Sequence, residues 1–193
     1  AVLWGALQFG DWGTQSHRGT AAAAEVGWQP MGMSALRPWL RAGWYQASGD
    51  DDPADGDHET FFSMVPTPRV YARMPFFTLM NVEDVFASLI VRPRAAPVTA
   101  RFDARQLRLA EGRDLWYAGG GAFESTSFGY AGRPGNGLRQ LATLFDLSVE
   151  WRATPRWTLT AYGAQANGGI VTKAIYPEQA TGRFGYLELQ YSR

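Results

Sequence analysis

The chain of 193 residues contains no cysteine, so it has no disulfide bond, no thiolate metal site and no cysteine nucleophile. It also lacks any apolar run of the roughly 20 residues that a transmembrane helix needs. An excess of one charge is missing too, because 18 basic residues balance 18 acidic ones. These absences argue against a disulfide scaffold, a helical membrane protein and a nucleic-acid-binding protein.

Arginine, glycine, proline and aromatic residues are abundant. Lys173 is the only lysine among the basic residues. Genomic base composition explains this bias, or else guanidinium groups are needed to grip carboxylates or sugars in two-point contacts. Aromatic residues make up 14% of the chain, and 22 glycines and 11 prolines interrupt it often. These frequent glycines and prolines, together with little helical periodicity, favour an all-β protein.

Alternating hydrophobicity predicts strands of about ten residues each. In LFDLSVEW, residues 144–151, Phe145, Leu147 and Val149 point to one side of an extended chain, and Asp146 and Ser148 to the other. The eight predicted strands cover residues 1–10, 19–29, 38–48, 82–92, 98–109, 141–152, 157–166 and 183–192. About ten residues is the length that a tilted membrane strand requires.

The connections alternate between short and long. Residues 93–97 and 153–156 form short, proline-containing connections, whereas residues 49–81, 110–140 and 167–182 form long ones. Outer-membrane β-barrels have this rhythm of tight periplasmic turns and long outer loops. Trp28, Trp39, Trp151 and Trp157 fall at the turn ends of their strands, where an interfacial belt is expected. The fold class predicted is an antiparallel transmembrane β-barrel; a soluble β-sandwich is the alternative.

The polar faces of these strands supply the candidate site residues. If the apolar faces contact lipid, the polar faces line the lumen and form a solute path. Cross-strand salt-bridge ladders are the preferred explanation of such rows, and Arg101 and Arg105, on either side of Asp103, are the best candidates for solute contact. The predicted path comprises Arg41, Arg92, Arg101, Asp103, Arg105, Asp146, Glu150 and Arg152.

Several motifs resemble those of a known family in their order and spacing. They are S-G-D-D-x-P-x-D-G at 48–56, Phe61, Pro66, Asn81 at the start of a strand, and the cluster Asp114, Trp116, Tyr117. From about residue 38 onward the chain resembles the alginate export family of bacterial outer-membrane proteins. The resemblance implies a monomeric barrel that contacts outer-membrane lipid and carries an anionic polysaccharide or another small polar solute.

The number of strands decides whether such a barrel conducts. Family members have about eighteen strands, which leave an aqueous channel, whereas eight strands enclose only their own side chains. The chain starts within an apparent strand, so residues 1–193 are predicted to be one barrel domain that forms the C-terminal part of a larger barrel. A small closed barrel with a structural or adhesion role remains an alternative.

Other motifs indicate no catalysis, metal or cofactor. The acidic segment 50–59 fails the EF-hand pattern because Pro53 and Phe62 occupy ligand positions, so a solvated loop is expected, with a looser calcium site as the alternative. His17 and His58 are predicted to lie in separate loops. Asp146 and Glu150 would be roughly 13 Å apart along a strand, too far for a glycosidase pair. The triple glycine at 119–121 is expected in an outer loop that narrows the channel. The sequence therefore predicts a non-enzymatic channel in the bacterial outer membrane.

Overall fold

A computed structural model describes residues 1–63, 74, 77–117 and 132–193. Within those residues, no helix is long and apolar enough to span a membrane. Parts of the two long connections 49–81 and 110–140 lie outside the described residues, as do Pro66 and the triple glycine.

The described residues form a mostly antiparallel β-sheet, and eight long strands follow one another in it. Their order is β1-β2-β3-β5-β6-β9-β10-β11, so each long strand pairs with its neighbour in the chain. β1 and β11 are the two ends of this path. The eight are β1 (Val2–Trp12), β2 (Gln15–Trp28), β3 (Trp39–Ala47), β5 (Val82–Val91), β6 (Val98–Arg108), β9 (Gln140–Arg152), β10 (Trp157–Gly168) and β11 (Thr181–Tyr191).

Three short strands and one short helix belong to the connections. β4 (Asp57–His58) pairs in parallel with β2, and β7 (Leu115–Tyr117) pairs with β8 (Gly132–Pro134). The helix α1 (Ile170–Ile175) contacts β9 and β10. We call the strand ends that are joined by the connections 29–38, 92–97 and 153–156 the turn end of the sheet. The opposite strand ends, which are joined by the connections 48–81, 109–139 and 169–180, are the loop end.

The eight predicted strands are confirmed, with bounds that differ by at most two residues except at the start of β2. β1 runs on to Trp12 and β2 begins at Gln15, so a two-residue hairpin replaces the predicted connection 11–18. The polar sequence DWGTQSH does not alternate, but main-chain pairing needs no apolar pattern. Gly13, with φ of 66°, permits the tight turn.

The two faces of the sheet differ in composition and exposure. On the outer face, large apolar side chains are exposed: Leu147 is 49% exposed, Leu187 77% and Leu189 65%. On the inner face, side chains are mostly buried, as in the alternating pattern of β9. The alternation predicted for residues 144–151 is confirmed.

The outer face carries different residue types at the loop end and at the turn end. At the loop end it carries polar groups, where the Thr143 hydroxyl donates to Gln106 at 2.9 Å. At the turn end it carries aromatic rings, and those of Trp157 and Tyr191 lie 4.8 Å apart. Trp39 does not belong to this rim. It lies on the inner face, where the guanidinium of Arg41 stands 5.1 Å from its ring centre.

The apolar core lies on the inner face at the loop end, where the connections fold over the strands. The Tyr45 hydroxyl donates to the carbonyl of Leu79 at 2.9 Å and holds that segment against the sheet. Thr172 of α1 donates likewise to Leu141 at 2.6 Å. The buried apolar residues include Phe77, Val82, Leu107, Leu109, Trp116, Leu141, Leu144, Ala166 and Val171. The connections therefore narrow the space beside the inner face at this end.

Candidate functional site

The inner face carries the predicted path residues, and in the middle of the sheet its arginines are held by carboxylates. Arg41 of β3 donates twice to Glu25 of β2, each time at 2.7 Å. Arg101 donates to Asp103 of the same strand at 2.5 and 2.9 Å. These two-point contacts match the planar guanidinium to the carboxylate and fix the side chains against the wall.

Arg105 is the most enclosed arginine of the predicted path. Its guanidinium pairs with Asp84 of β5 and stands 4.6 Å from the ring centre of Phe86. Arg105 is 2% exposed and Asp84 0%. A buried pair of this kind is costly to break, because removing one partner leaves an unpaired charge. The geometry favours a structural ladder over direct solute contact for Arg105, and its place in the solute path stays a prediction.

Two carboxylates face each other across the sheet beside these arginines. Asp103 of β6 pairs in register with Asp146 of β9, and both are buried. Arg101 neutralises Asp103, whereas the Oδ2 atom of Asp146 has no hydrogen-bond partner within the part of the chain that the structure describes. The middle of the inner face thus holds at least as many acidic as basic groups. This agrees with the mixture of arginines and carboxylates among the predicted path residues.

The remaining predicted path residues meet at the turn end. Arg92, Glu150 and Arg152 line a cavity of about 490 Å³ there, the turn-end cavity. Arg92 also stands 5.8 Å from the ring centre of Trp39. The structure therefore divides the predicted set into two groups. Arg41, Arg101, Asp103, Arg105 and Asp146 lie in the middle of the wall, whereas Arg92, Glu150 and Arg152 lie at its turn end.

An aromatic cluster borders the middle group on the side of β11. The rings of Tyr162 and Tyr186 are stacked 5.1 Å apart, and Phe184 lies 6.1 Å from Tyr162. Tyr162 is buried and Phe184 is 40% exposed. Aromatic rings that combine packing with an exposed face stiffen the last two strands and leave a flat apolar surface on the inner face.

A polar cluster at the loop end joins sequence motifs that are far apart in the chain; we call it the loop-end clasp (Asp50, Thr60, Asn81, Asp114 and Tyr117). The Asp114 carboxylate accepts hydrogen bonds from the Thr60 hydroxyl at 2.6 Å and from the Asp50 N–H at 3.1 Å. It also accepts from the Tyr117 hydroxyl at 3.3 Å. Burial and the charge of Asp114 raise the pKa of Tyr117, which therefore stays protonated and able to donate.

Asn81 completes the loop-end clasp from the start of β5. Its amide donates to the carbonyls of Glu111 and Leu115, both at 2.9 Å, and its side-chain oxygen accepts from the Glu111 N–H at 2.7 Å. Asn81 is fully buried and adopts φ of 44°, which asparagine tolerates better than most residues. The clasp thus fastens the segments 48–60, 78–81 and 111–117 to one another.

The two histidines, predicted in separate loops, lie together. His17 of β2 and His58 of β4 approach to 2.9 Å between their Nδ1 atoms, and Trp12 stacks on His58 at 4.6 Å. The prediction was wrong because β4 forms only when the long connection folds back onto β2, a pairing without local signal. Burial, and then the neighbouring His17, lower the pKa of His58, which favours its neutral form.

The acidic segment 50–59 is only partly solvated. Asp51 is exposed, as expected, but Asp50 is 5% exposed. Burial is the main reason why the pKa of Asp50 is raised, and the charge of Asp114 adds to it. One oxygen each of Asp50, Asp51 and Glu59 lie within 4.8 Å of one another. Exposed acidic groups gather in this way without an ion, so the calcium alternative stays a prediction.

Three residues of the turn-end cavity and the loop-end clasp were missed, or only partly identified, by the sequence reasoning. Arg37 and Arg94 also line the turn-end cavity, but they lie in connections rather than on an alternating strand face. Asp114 stood out only as part of a motif, because nothing in its local sequence reveals the three segments that it joins. Arginines that flank short connections at the turn end are the signal that would have indicated the cavity.

The comparison with known proteins gives the family. A family model described as alginate export matches residues 3–185. No curated protein matches the chain. Proteins of this family are outer-membrane transport porins rather than enzymes, and polysaccharide is the substrate that the family implies. The match spans nearly the whole chain, and four of the residues that resembled the family in the sequence, Asp50, Asn81, Asp114 and Tyr117, lie in the loop-end clasp: the chain belongs to the alginate export family.

Proposed function

We propose that this chain forms part of the wall of an outer-membrane β-barrel channel through which an anionic polysaccharide, or small polar solutes, passes passively. The observation that carries the proposal is the two-faced sheet. Its outer face exposes rows of large apolar side chains, and its inner face carries the ion pairs Arg41–Glu25 and Arg105–Asp84. Lipid would cover the outer rows, and water would wet the inner face, which is the arrangement of a transmembrane barrel.

The exposed outer face weighs against the soluble alternative. Leu3, Phe9 and Leu187 are 84%, 87% and 77% exposed. Soluble proteins seldom expose apolar patches of more than a few hundred Å², and larger ones mark a membrane or a partner. A β-sandwich would bury such rows under a second sheet, and the described residues contain no such sheet.

The distribution of polar groups supports a hydrated path with a narrowed loop end. The connections pack over the inner face at the loop end through the apolar core around Phe77 and Trp116. The turn-end cavity, by contrast, is open and lined by charged groups. A solute that moved along the inner face would meet charge at the turn end and a packed constriction at the loop end, where the loops would control passage.

Conductance across a planar lipid bilayer tests this function. The full-length protein, folded in detergent and inserted into the bilayer, should give discrete current steps. An oligouronate added on the turn-end side should block these currents at a concentration where a neutral glucan of equal length does not. A protein that needs no detergent, and that leaves the bilayer silent, would contradict the proposal. Currents that both sugars leave unchanged would retain the channel and remove the anionic polysaccharide.

A further inference from the structure

The only two histidines of the chain lie side by side at the loop end. His17 of β2 is paired in register with His58 of β4. Their Nδ1 atoms are 2.9 Å apart, and the Nδ1 atom of His17 also lies 2.9 Å from the His58 carbonyl oxygen. Both rings are half-buried, so solvent reaches the pair. Two imidazoles thus meet outside the predicted solute path.

The strand β1 supplies contacts that fix His58 beside His17. The ring of Trp12 is stacked on the ring of His58, with 4.6 Å between the ring centres. Gln8 donates to the Phe62 carbonyl at 2.6 Å and accepts from the Phe62 N–H at 2.8 Å, which fastens the segment that follows β4. The two imidazoles are therefore held together before any ligand arrives, and this lowers the entropic cost of binding one.

The separation of the two Nδ1 atoms suits two ligands of one metal ion. Nitrogens bound at about 2.0–2.1 Å stand roughly 2.9–3.4 Å apart when the angle at the metal is about 90–109°. The same separation suits a hydrogen bond in which one Nδ1 atom carries the proton. When that proton moves to the Nε2 atom of its own ring, both Nδ1 atoms offer lone pairs, and a small rotation of the rings admits a cation between them.

The surroundings favour a cation, and the ligand atoms select its class. The segment 50–59 carries six carboxylates, whose negative charge attracts cations to His58. Neutral imidazole is the form that binds a metal, and the lowered pKa of His58 favours that form. Imidazole nitrogen binds zinc, copper and nickel ions, whereas calcium and magnesium ions prefer oxygen. The acidic group of Asp50, Asp51 and Glu59 offers oxygen atoms alone and is a separate set of ligands.

We propose that the Nδ1 atoms of His17 and His58 bind a divalent transition-metal ion such as Zn²⁺, with water in the remaining positions, and that this ion fastens β4 to β2. Two protein ligands make an exchangeable site, in contrast to the four ligands of a structural zinc site. Because β4 lies in the connection 48–81, the bound ion holds part of that connection against the sheet. The site rests on its own geometry and not on the proposed channel function.

Calorimetric titration with Zn²⁺ tests the site directly. The full chain, folded in detergent and carrying no histidine tag, is titrated with Zn²⁺ in the absence and in the presence of excess Ca²⁺. We expect Zn²⁺ to bind with the same affinity in both titrations. His17→Gln and His58→Gln should each weaken Zn²⁺ binding at least about tenfold, because even the loss of a hydrogen-bond partner of a metal ligand costs that much.

Fluorescence locates the ion beside Trp12. Cu²⁺ binds imidazole and quenches the emission of a neighbouring indole, and Trp12 is stacked on His58. Cu²⁺ should therefore quench part of the tryptophan emission of the parent, and excess Zn²⁺ should restore it. Trp12→Phe keeps an aromatic ring over His58, so it should retain Zn²⁺ binding and lose this quenching.

Hydrogen exchange tests whether the ion fastens the two strands. The Ser16 amide donates to the Gly56 carbonyl at 3.3 Å, across the pairing of β2 with β4. Saturating Zn²⁺ should slow exchange of this amide at neutral pH, and a chelator should reverse the effect. Exchange of the same amide in His17→Gln and His58→Gln should not respond to Zn²⁺.

Asp51→Asn is the matched control, because it removes an exposed carboxylate of the acidic group and leaves both imidazoles. It should change the Zn²⁺ affinity by less than about twofold, since an exposed charge is screened. The shift of the folded protein on an unheated gel identifies a histidine variant that fails to fold, and the Ca²⁺ competition and the Trp12→Phe quenching then decide.

Different results would overturn the site and the fastening. Absence of Zn²⁺ binding, equal affinity in the parent and both histidine variants, or displacement of Zn²⁺ by Ca²⁺ would overturn the site. Quenching by Cu²⁺ that persists in Trp12→Phe would place the ion elsewhere and overturn it too. Zn²⁺ binding that leaves exchange of the Ser16 amide unchanged would overturn the fastening of β4 to β2.

Discussion

A charged residue in the middle of the outer face should destabilise the folded protein in lipid far more than the same residue at the rim. Leu147 lies on the outer face of β9, 49% exposed, four positions from Trp151 at the aromatic rim and four from Thr143 at the polar rim. If the outer face spans a bilayer, Leu147 is close to its midplane. Arginine there costs about 2–4 kcal/mol, which is about 30- to 700-fold in the folding equilibrium.

The matched control lies on the same strand and the same face. Thr143→Arg places the same charge at the polar rim, where the cost of arginine is about 0–1 kcal/mol. The replacement also removes the exposed hydrogen bond to Gln106, which contributes about 1 kcal/mol. Leu147→Arg should therefore be the more destabilising of the two by about 1–2 kcal/mol.

Equilibrium unfolding in urea, with the protein inserted in phospholipid vesicles and tryptophan fluorescence as the signal, measures both variants. Equal free energies of unfolding for Leu147→Arg and Thr143→Arg would refute the reasoning, because no hydrocarbon layer would then distinguish the centre of the face from its rim. A parent protein that unfolds with the same free energy in plain buffer would refute it as well.

The loop end supports three further predictions. Asp114→Asn should destabilise the loop-end clasp by about 1–3 kcal/mol, because the carboxylate accepts from several buried donors, and limited proteolysis of the connections reports the loss. Gly49→Ala should cost about 1–3 kcal/mol, since its Cβ would collide with the Asn81 side chain; urea unfolding measures it. The lowered pKa of His58 means that the β2–β4 pairing is stable above pH of about 6.5 and weakens as the pH falls below that value, where unfolded chains take up the proton first. Hydrogen exchange of the Ser16 amide, which donates to the Gly56 carbonyl at 3.3 Å, should therefore accelerate at acidic pH relative to exchange of an unprotected amide.

Each of these three has its control. Asp51→Asn alters an exposed carboxylate in the same connection and should not increase proteolysis. Gly32→Ala meets no atom within 4 Å and should be close to neutral. His58→Gln should abolish the acidic acceleration of exchange. Unchanged proteolysis in Asp114→Asn, a neutral Gly49→Ala or an acceleration that persists in His58→Gln would contradict the corresponding prediction.

Most of the sheet could be predicted from the sequence because alternation along a strand depends only on local geometry. The segment 144–151 assigns Leu147 and Asp146 to opposite faces, and the structure keeps them there. The same logic failed around Trp12 and Gln15, where strands continue through polar residues, and at α1, which is too short to show a helical period. The identity of the family could also be predicted, since the order of its motifs is a property of the sequence.

The partners of the charged residues could not be predicted, because they depend on register and on how the connections fold. Alternation places Arg101, Arg105 and Arg152 on one face, but it does not reveal that carboxylates hold Arg101 and Arg105. For Arg152 the described residues contain no ion pair; it meets Arg37 across a cavity instead. His17 and His58 come together only through a parallel pairing of distant segments.

The sequence by itself determined the strands, their two faces and the family, because each follows from residue order along the chain. The tertiary structure alone decided which arginines are neutralised and where the loop-end clasp forms, because these contacts join residues many positions apart. The alternation of apolar and polar residues along a strand is a local property. The net charge at any point of the wall depends instead on which ion-pair partners folding brings close.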